Sequence, residues 1–160
     1  MDTVVTNDAV IEAEEGRTLS DTSVIRLPVL PVRTDPINSV ESAMRVLSFL
    51  KWKEPPAEEG KGRTAFAVLG GNRETGEVWV MAAIEGGAAP DHEHLPGGRY
   101  GELIITLAGT LEDTTDSGQE VQVGAGQILV HGDMTTHAPR ASKFWLGIYH
   151  QPRGSRVIKG

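Results

Sequence analysis

The chain has 160 residues and a mass of 17.2 kDa, room for one domain and its single core but not comfortably for two. Cysteine is absent, which excludes disulfide frameworks, thiolate metal sites and cysteine nucleophiles, and 22 acidic against 15 basic side chains leave a net charge of −7. That balance argues against a nucleic-acid or anionic-membrane partner, and aromatic residues at 5% are too few for base-stacking platforms.

Residues 1–35 read as an N-terminal extension and residues 36–160 as one domain. Met1-Asp2-Thr3 lacks the basic start and apolar stretch of a signal peptide, and no apolar run is long enough for a membrane span, so a cytoplasmic location is expected. Pro28, Pro31 and Pro36 interrupt regular structure in the extension. Its apolar strip at Val24-Ile25, Leu27 and Val29-Leu30 is either an edge strand, on this subunit or a partner, or part of a disordered tail. From Asn38 to Leu50 the spacing of Val40, Ala43, Met44, Leu47 and Leu50 predicts a helix, with Asn38 and Glu41 as a capping box. A strand is the competing reading there, because Met44, Val46, Ser48 and Leu50 also alternate.

Beyond the polar 55–62 loop, short β-like runs follow one another: 64–69, 77–85, 102–107, 110–112, 120–123, 127–131 and 143–150. Turn residues separate them, as at Gly70-Gly71-Asn72, Gly86-Gly87, Pro96-Gly97-Gly98, Ala108-Gly109 and Gly124-Ala125-Gly126. With 19 glycines and 9 prolines, this pattern predicts an all-β sandwich or barrel. The polar, basic tail after His150 is expected to be a solvated terminus or an interface strand.

Four of the five histidines fall at positions 92, 94, 131 and 137. His92 and His94 are two apart, so on a strand their rings share one face. Glu102 opens the next apolar strand and projects inward beside Ile104 and Thr106, and His137 follows the 127–131 strand. Imidazole suits Zn, Fe, Ni and Cu, and a mixed imidazole and carboxylate set admits Mn as well. Three or four such ligands leave coordination positions open. His131 is the rival to His137, either as a ligand or as a hydrogen-bonding partner that orients one. Glu93, on the opposite face of the pair, is expected in solvent. His150 is expected to be structural or near the barrel mouth. Arg99, Tyr100, Asp133 and Arg140 lie near the site loops by sequence and are either solvated or bind an anionic substrate.

Residues 86–109 and 124–137 resemble the two motifs of the cupin superfamily. The first family motif runs Gly, five residues, His-x-His, a short spacer, Glu, six residues, Gly, which Gly86, His92-Glu93-His94, Glu102 and Gly109 follow. The spacer here, residues 95–101, is longer than the family's three or four and predicts a mobile loop at the barrel mouth. The second motif is followed in outline by Gly124, Val130-His131-Gly132 and His137, with Val130 where the family has proline. The resemblance covers about residues 62–150 and is closest to small single-domain cupins of the ChrR-like and acetylacetone-dioxygenase-like groups. It implies an all-β, double-stranded β-helix (a jelly-roll, RmlC-like barrel) with a divalent transition metal inside. Iron is the first choice, with Zn, Ni or Mn as alternatives. The metal ligands implied are His92, His94, Glu102 and His137, with Glu102 also the candidate catalytic residue if it stands outside the ligand set as a base.

The function so implied is a non-haem, metal-dependent dioxygenase acting on a small organic molecule with chelating oxygens. Ile104 and the Phe144-Trp145 strand are expected to wall its pocket. The alternatives are a non-enzymatic metal- or ligand-sensing module and, more distantly, a metal-dependent isomerase or hydrolase. Because cupin barrels commonly pair, a homodimer is expected. Other patterns fail: Gly60-Lys61-Gly62-Arg63-Thr64 lacks the spacing of a phosphate loop, and the acidic 112–116 turn lacks that of an EF-hand.

Overall fold

The computed structural model describes the backbone of residues 23–26 and, in full, residues 37–56, 61–114 and 117–158. Among the described residues ten strands form two antiparallel sheets: β1 (Ser23–Arg26), β2 (Arg63–Asn72), β3 (Glu77–Ala88), β4 (His92–His94), β5 (Glu102–Thr114), β6 (Glu120–Gly124), β7 (Gln127–His131), β8 (Thr136–His137), β9 (Arg140–Gln151) and β10 (Ser155–Val157). The larger sheet has the order β1-β7-β5-β9-β3-β2, with β6 beside β5, and the smaller has the order β10-β4-β8. This is the double-stranded β-helix expected from the sequence.

Alternation along the strands sorts side chains into two apolar layers. Ile84, Ile104, Leu111, Val123, Leu129 and Trp145 fill the space between the sheets. The opposite face of the large sheet, with Ala65, Ala67, Met81, Ala83, Phe144 and Leu146, is covered by the helix α1 (Val40–Val46). Phe144 therefore lies outside the barrel, correcting its expected place in the pocket wall, while Trp145, one residue on, points in. The helix is shorter than the periodicity suggested. Ser39, not Asn38, is its N-cap, in a reciprocal pair with Ser42, whose hydroxyl accepts from the Ser39 N–H. The Val40 N–H donates to Glu85 of β3 at 2.8 Å, fixing the helix to the sheet.

Several expected breaks lie within strands. Gly70-Gly71-Asn72 belongs to β2, and the turn comes at residues 73–76, where the Gly76 N–H donates to the Asn72 carbonyl. The 102–107 and 110–112 runs join as β5 through an irregular register at Thr106–Glu112. There Gly109 has φ +72°, and a Cβ on it would meet the Phe144 carbonyl oxygen at 2.0 Å. The tail supplies β10, which pairs with β4 from Ser155↔His94 to Val157↔His92. Of the expected extension, Ser23–Arg26 pairs with β7 of the same chain, and the other features expected in residues 1–35 lie outside the described residues. Among the described residues no helix is long and apolar enough to cross a membrane.

Candidate metal centre

Strand pairing brings the predicted residues together. His92 and His94 sit on one face of β4, and β8 pairs antiparallel with β4 so that His137 lies directly opposite His92. Glu102 begins β5, across from His131 of β7. One ligand atom from each of His92, His94, Glu102 and His137 lies within 4.8 Å of all the others. The Glu102 Oε2 atom is 2.7 Å from Nε2 of His137, 3.1 Å from that of His94 and 3.6 Å from that of His92. The long spacer thus leaves Glu102 inside the cluster, with its Oε1 accepting from Gln151 Nε2 at 3.1 Å.

The spacer itself, residues 95–101, is tied down along its length. The Leu95 N–H donates to the Gly154 carbonyl, the Gly97 N–H to Asp133, and the Gly101 N–H to the His131 carbonyl. The Tyr100 hydroxyl pairs with His150 Nδ1 at 2.5 Å, and His150 Nε2 pairs with Glu77 at 2.8 Å while its ring stacks on Trp79. His150 is therefore an anchor for the loop on the outer side of β9.

The hydrogen bonds fix which imidazole nitrogens face inward. The His92 Nδ1–H donates to the Pro90 carbonyl at 2.9 Å. The Thr135 hydroxyl gives its proton to the Gly132 carbonyl, so it accepts from His94 Nδ1–H at 3.0 Å. The His137 Nδ1–H donates to the Asp113 carboxylate at 2.6 Å. All three rings therefore turn Nε2 to the centre, each with a lone pair there in its neutral form. The Nε2 atoms of His92 and His137 are only 2.8 Å apart, a repulsive contact unless a proton or a metal cation lies between them.

Electrostatics fit that reading. Burial opposes a charge on His137, but the Glu102 and Asp113 carboxylates outweigh it and raise its pKa to about 9. Burial also opposes ionisation of Glu102, yet His137, with hydrogen bonds from His92 and His94, holds its pKa well below the usual carboxylate range. Burial pushes His94 down, toward the neutral form that a metal ligand requires. With three imidazoles and a carboxylate oxygen converging, the donor set fits a borderline divalent transition metal.

Sequence reasoning missed Asp113, which is fully buried and also bonds His131 Nε2 at 2.8 Å. His131 thus shares the Asp113 carboxylate with His137. Asp113, His131 and His137 form a second close group of possible ligands. Thr135 and Gln151 were missed as well. Thr135 is set by a tight turn in which Met134 adopts φ +61°.

A cavity of about 300 Å³ reaches the cluster at His92 and Glu102. Its walls are mostly apolar and include Ile84, Ile104 and Trp145. Arg99, Tyr100, Asp133 and Arg140 do not line it. Arg140 instead pairs with Glu112 and Glu120, and Asp133 binds the spacer. Glu93 is half-buried and ion-paired with Arg156 rather than standing free in solvent.

No family model matches the sequence, and no curated protein matches it. Solved structures do match in fold. A Methylibium petroleiphilum protein assigned as an acetylacetone dioxygenase has a TM-score of 0.57 at 12% identity, covering 82% of this chain and 86% of that one. An RmlC-like cupin from Ralstonia eutropha gives 0.55 at 13% identity, covering 70% and 69%. A cupin 2 conserved barrel domain protein from Rhodopseudomonas palustris gives 0.54 at 13% identity, covering 69% and 79%. At such identities the likeness concerns the fold.

Proposed function

We propose that this chain, a cupin by fold, is a non-haem metal-dependent dioxygenase acting on a small organic substrate with chelating oxygens. His92, His94, His137 and Glu102 hold one divalent transition metal in this reading. The observation that carries it is the convergence of three imidazole nitrogens and a Glu102 oxygen, all within 4.8 Å of one another, at the end of an apolar cavity. When bound, the metal supplies a Lewis acid and a template for a substrate with two adjacent oxygens.

The chain's own residues do the positioning. Pro90, Thr135 and Asp113 hold the three rings with Nε2 inward, and Gln151 turns Glu102 so that Oε2 joins them. Ile84, Ile104 and Trp145 keep water from the substrate side. The accessible cavity favours this reading over a sensing module with a closed, structural metal. We also read the chain as a homodimer, since Leu69, Trp79 and Leu107 are exposed; a monomer by light scattering would remove that inference.

Elemental analysis is the test of the metal. About one equivalent of transition metal is expected in the parent and little in a His92→Ala/His94→Ala double variant. Protein loaded anaerobically with Fe(II) should then consume oxygen with β-diketones, catechol-like diols or α-hydroxy ketones. No uptake across that panel favours the sensing module, and no metal after reconstitution with Fe, Mn, Ni and Zn overturns both.

A further inference from the structure

Tyr149 sits on the inward face of β9, two residues before Gln151, and lines the same cavity as Glu102 and His92. Its ring packs with Ile84, Ile104 and Trp145. Of the other polar groups of that wall, Gln151 is engaged with Glu102, His92 with Pro90, and the Trp145 N–H with Thr106, while the Thr64 and Ser155 hydroxyls line the cavity as well. The Tyr149 hydroxyl has no hydrogen-bond partner among the described residues.

We propose that the Tyr149 hydroxyl donates a hydrogen bond to an oxygen of a compact, uncharged and mainly apolar ligand held in the cavity. This rests on the reading of the cavity as the substrate side of the metal centre, and it narrows the substrate class. Among the described residues no lysine or arginine lines the cavity, so in the metal-free chain a carboxylate or phosphate on the ligand would face the Glu102 carboxylate with no basic side chain of the wall to offset it. A volume of about 300 Å³ lies at the small end of small-molecule sites. A phenol keeps its proton at neutral pH and so acts as a donor.

The test uses the full chain loaded with zinc, which cannot turn over by redox chemistry, and also the metal-free chain. Acetophenone, cumene and benzoate are near-isosteric probes carrying a neutral oxygen, no oxygen and a charge. Binding is read by ligand-observed NMR, and the Trp145 indole N–H signal reports whether the probe occupies this cavity. Tyr149→Phe should weaken acetophenone about three- to tenfold, the worth of one neutral hydrogen bond, and change cumene less than twofold. Benzoate should bind the metal-free parent more weakly than acetophenone. Equal acetophenone binding by parent and Tyr149→Phe, no acetophenone binding by the parent, or a preference of the metal-free parent for benzoate overturns the proposal. Zinc content is measured on the same samples. A parent that binds no zinc counts against the metal centre, while the metal-free titration still decides the role of Tyr149.

Discussion

The carboxylate of Asp113 accepts the Nδ1 proton of His137 at 2.6 Å, with both side chains sealed from solvent. The same oxygen accepts from His131 at 2.8 Å, so one acidic group holds two imidazoles. This makes Asp113 the support that decides which nitrogen His137 turns to the centre. Asp113→Asn keeps the shape but removes the charge and one of the two good acceptors. Zinc affinity, measured by competition with a chelator, should fall about 10- to 100-fold while the fold persists. A loss of less than twofold would mean that His137 is oriented by packing alone.

The same group gives the metal-free protein a pH dependence with a definite sign. The pKa of His137 is raised from 6.5 to about 9, so the stability it contributes is fully present below pH 6.5 and is lost as pH rises through about 9. Asp113 is lowered from 3.8 to about 2: burial resists its ionisation, and hydrogen bonds from His131 and His137 outweigh burial. Its contribution, about 2 kcal/mol, is present above pH 3.8 and lost as pH falls through about 2. A zinc ion held by the proposed ligands would take the place of the His137 proton. Urea midpoints of the metal-free protein should therefore decline between pH 6.5 and 9, and those of the zinc-loaded protein should decline less. Parallel curves with and without zinc would show that the metal does not occupy the proton's place.

Much of the centre was legible from parity and spacing. His92 and His94 share a face because they are two apart on a strand, and Glu102, Ile104 and Thr106 keep the inward parity of β5. Asp113 was hidden because that parity does not last. The irregular register between Thr106 and Glu112 shifts the buried positions from even to odd, so Leu111 and Asp113 point inward where simple alternation puts them outside. Phe144 and Trp145 show the converse limit: composition marks both as core, but only the pairing of β9 tells which layer each enters. β4, β8 and β10 were hard to see because strands of three, two and three residues carry too few alternations to register as a pattern.

Gly101 carries the last prediction, and it concerns how closely the spacer approaches the centre. The residue is buried, and a Cβ placed on it would lie 2.3 Å from the Gly132 carbonyl oxygen and 2.6 Å from His94 Nδ1. Neither neighbour is free to retreat. The Gly132 carbonyl accepts from Thr135, and that hydroxyl in turn holds the His94 ring, so one methyl group disturbs both links. Gly101→Ala should destabilise the protein by about 1–3 kcal/mol, the usual cost of overpacking. Zinc affinity should drop with it by at least tenfold, because His94 loses its setting. Gly97→Ala is the control: its nearest neighbour is the end of the Arg153 side chain at 3.5 Å, so any loss there reflects the strain of its φ of +102° and spares the metal site. Chelator competition and thermal melts on the two variants separate these effects. Equal zinc affinity in Gly101→Ala and the parent would show that the spacer closes the loop without setting the position of His94.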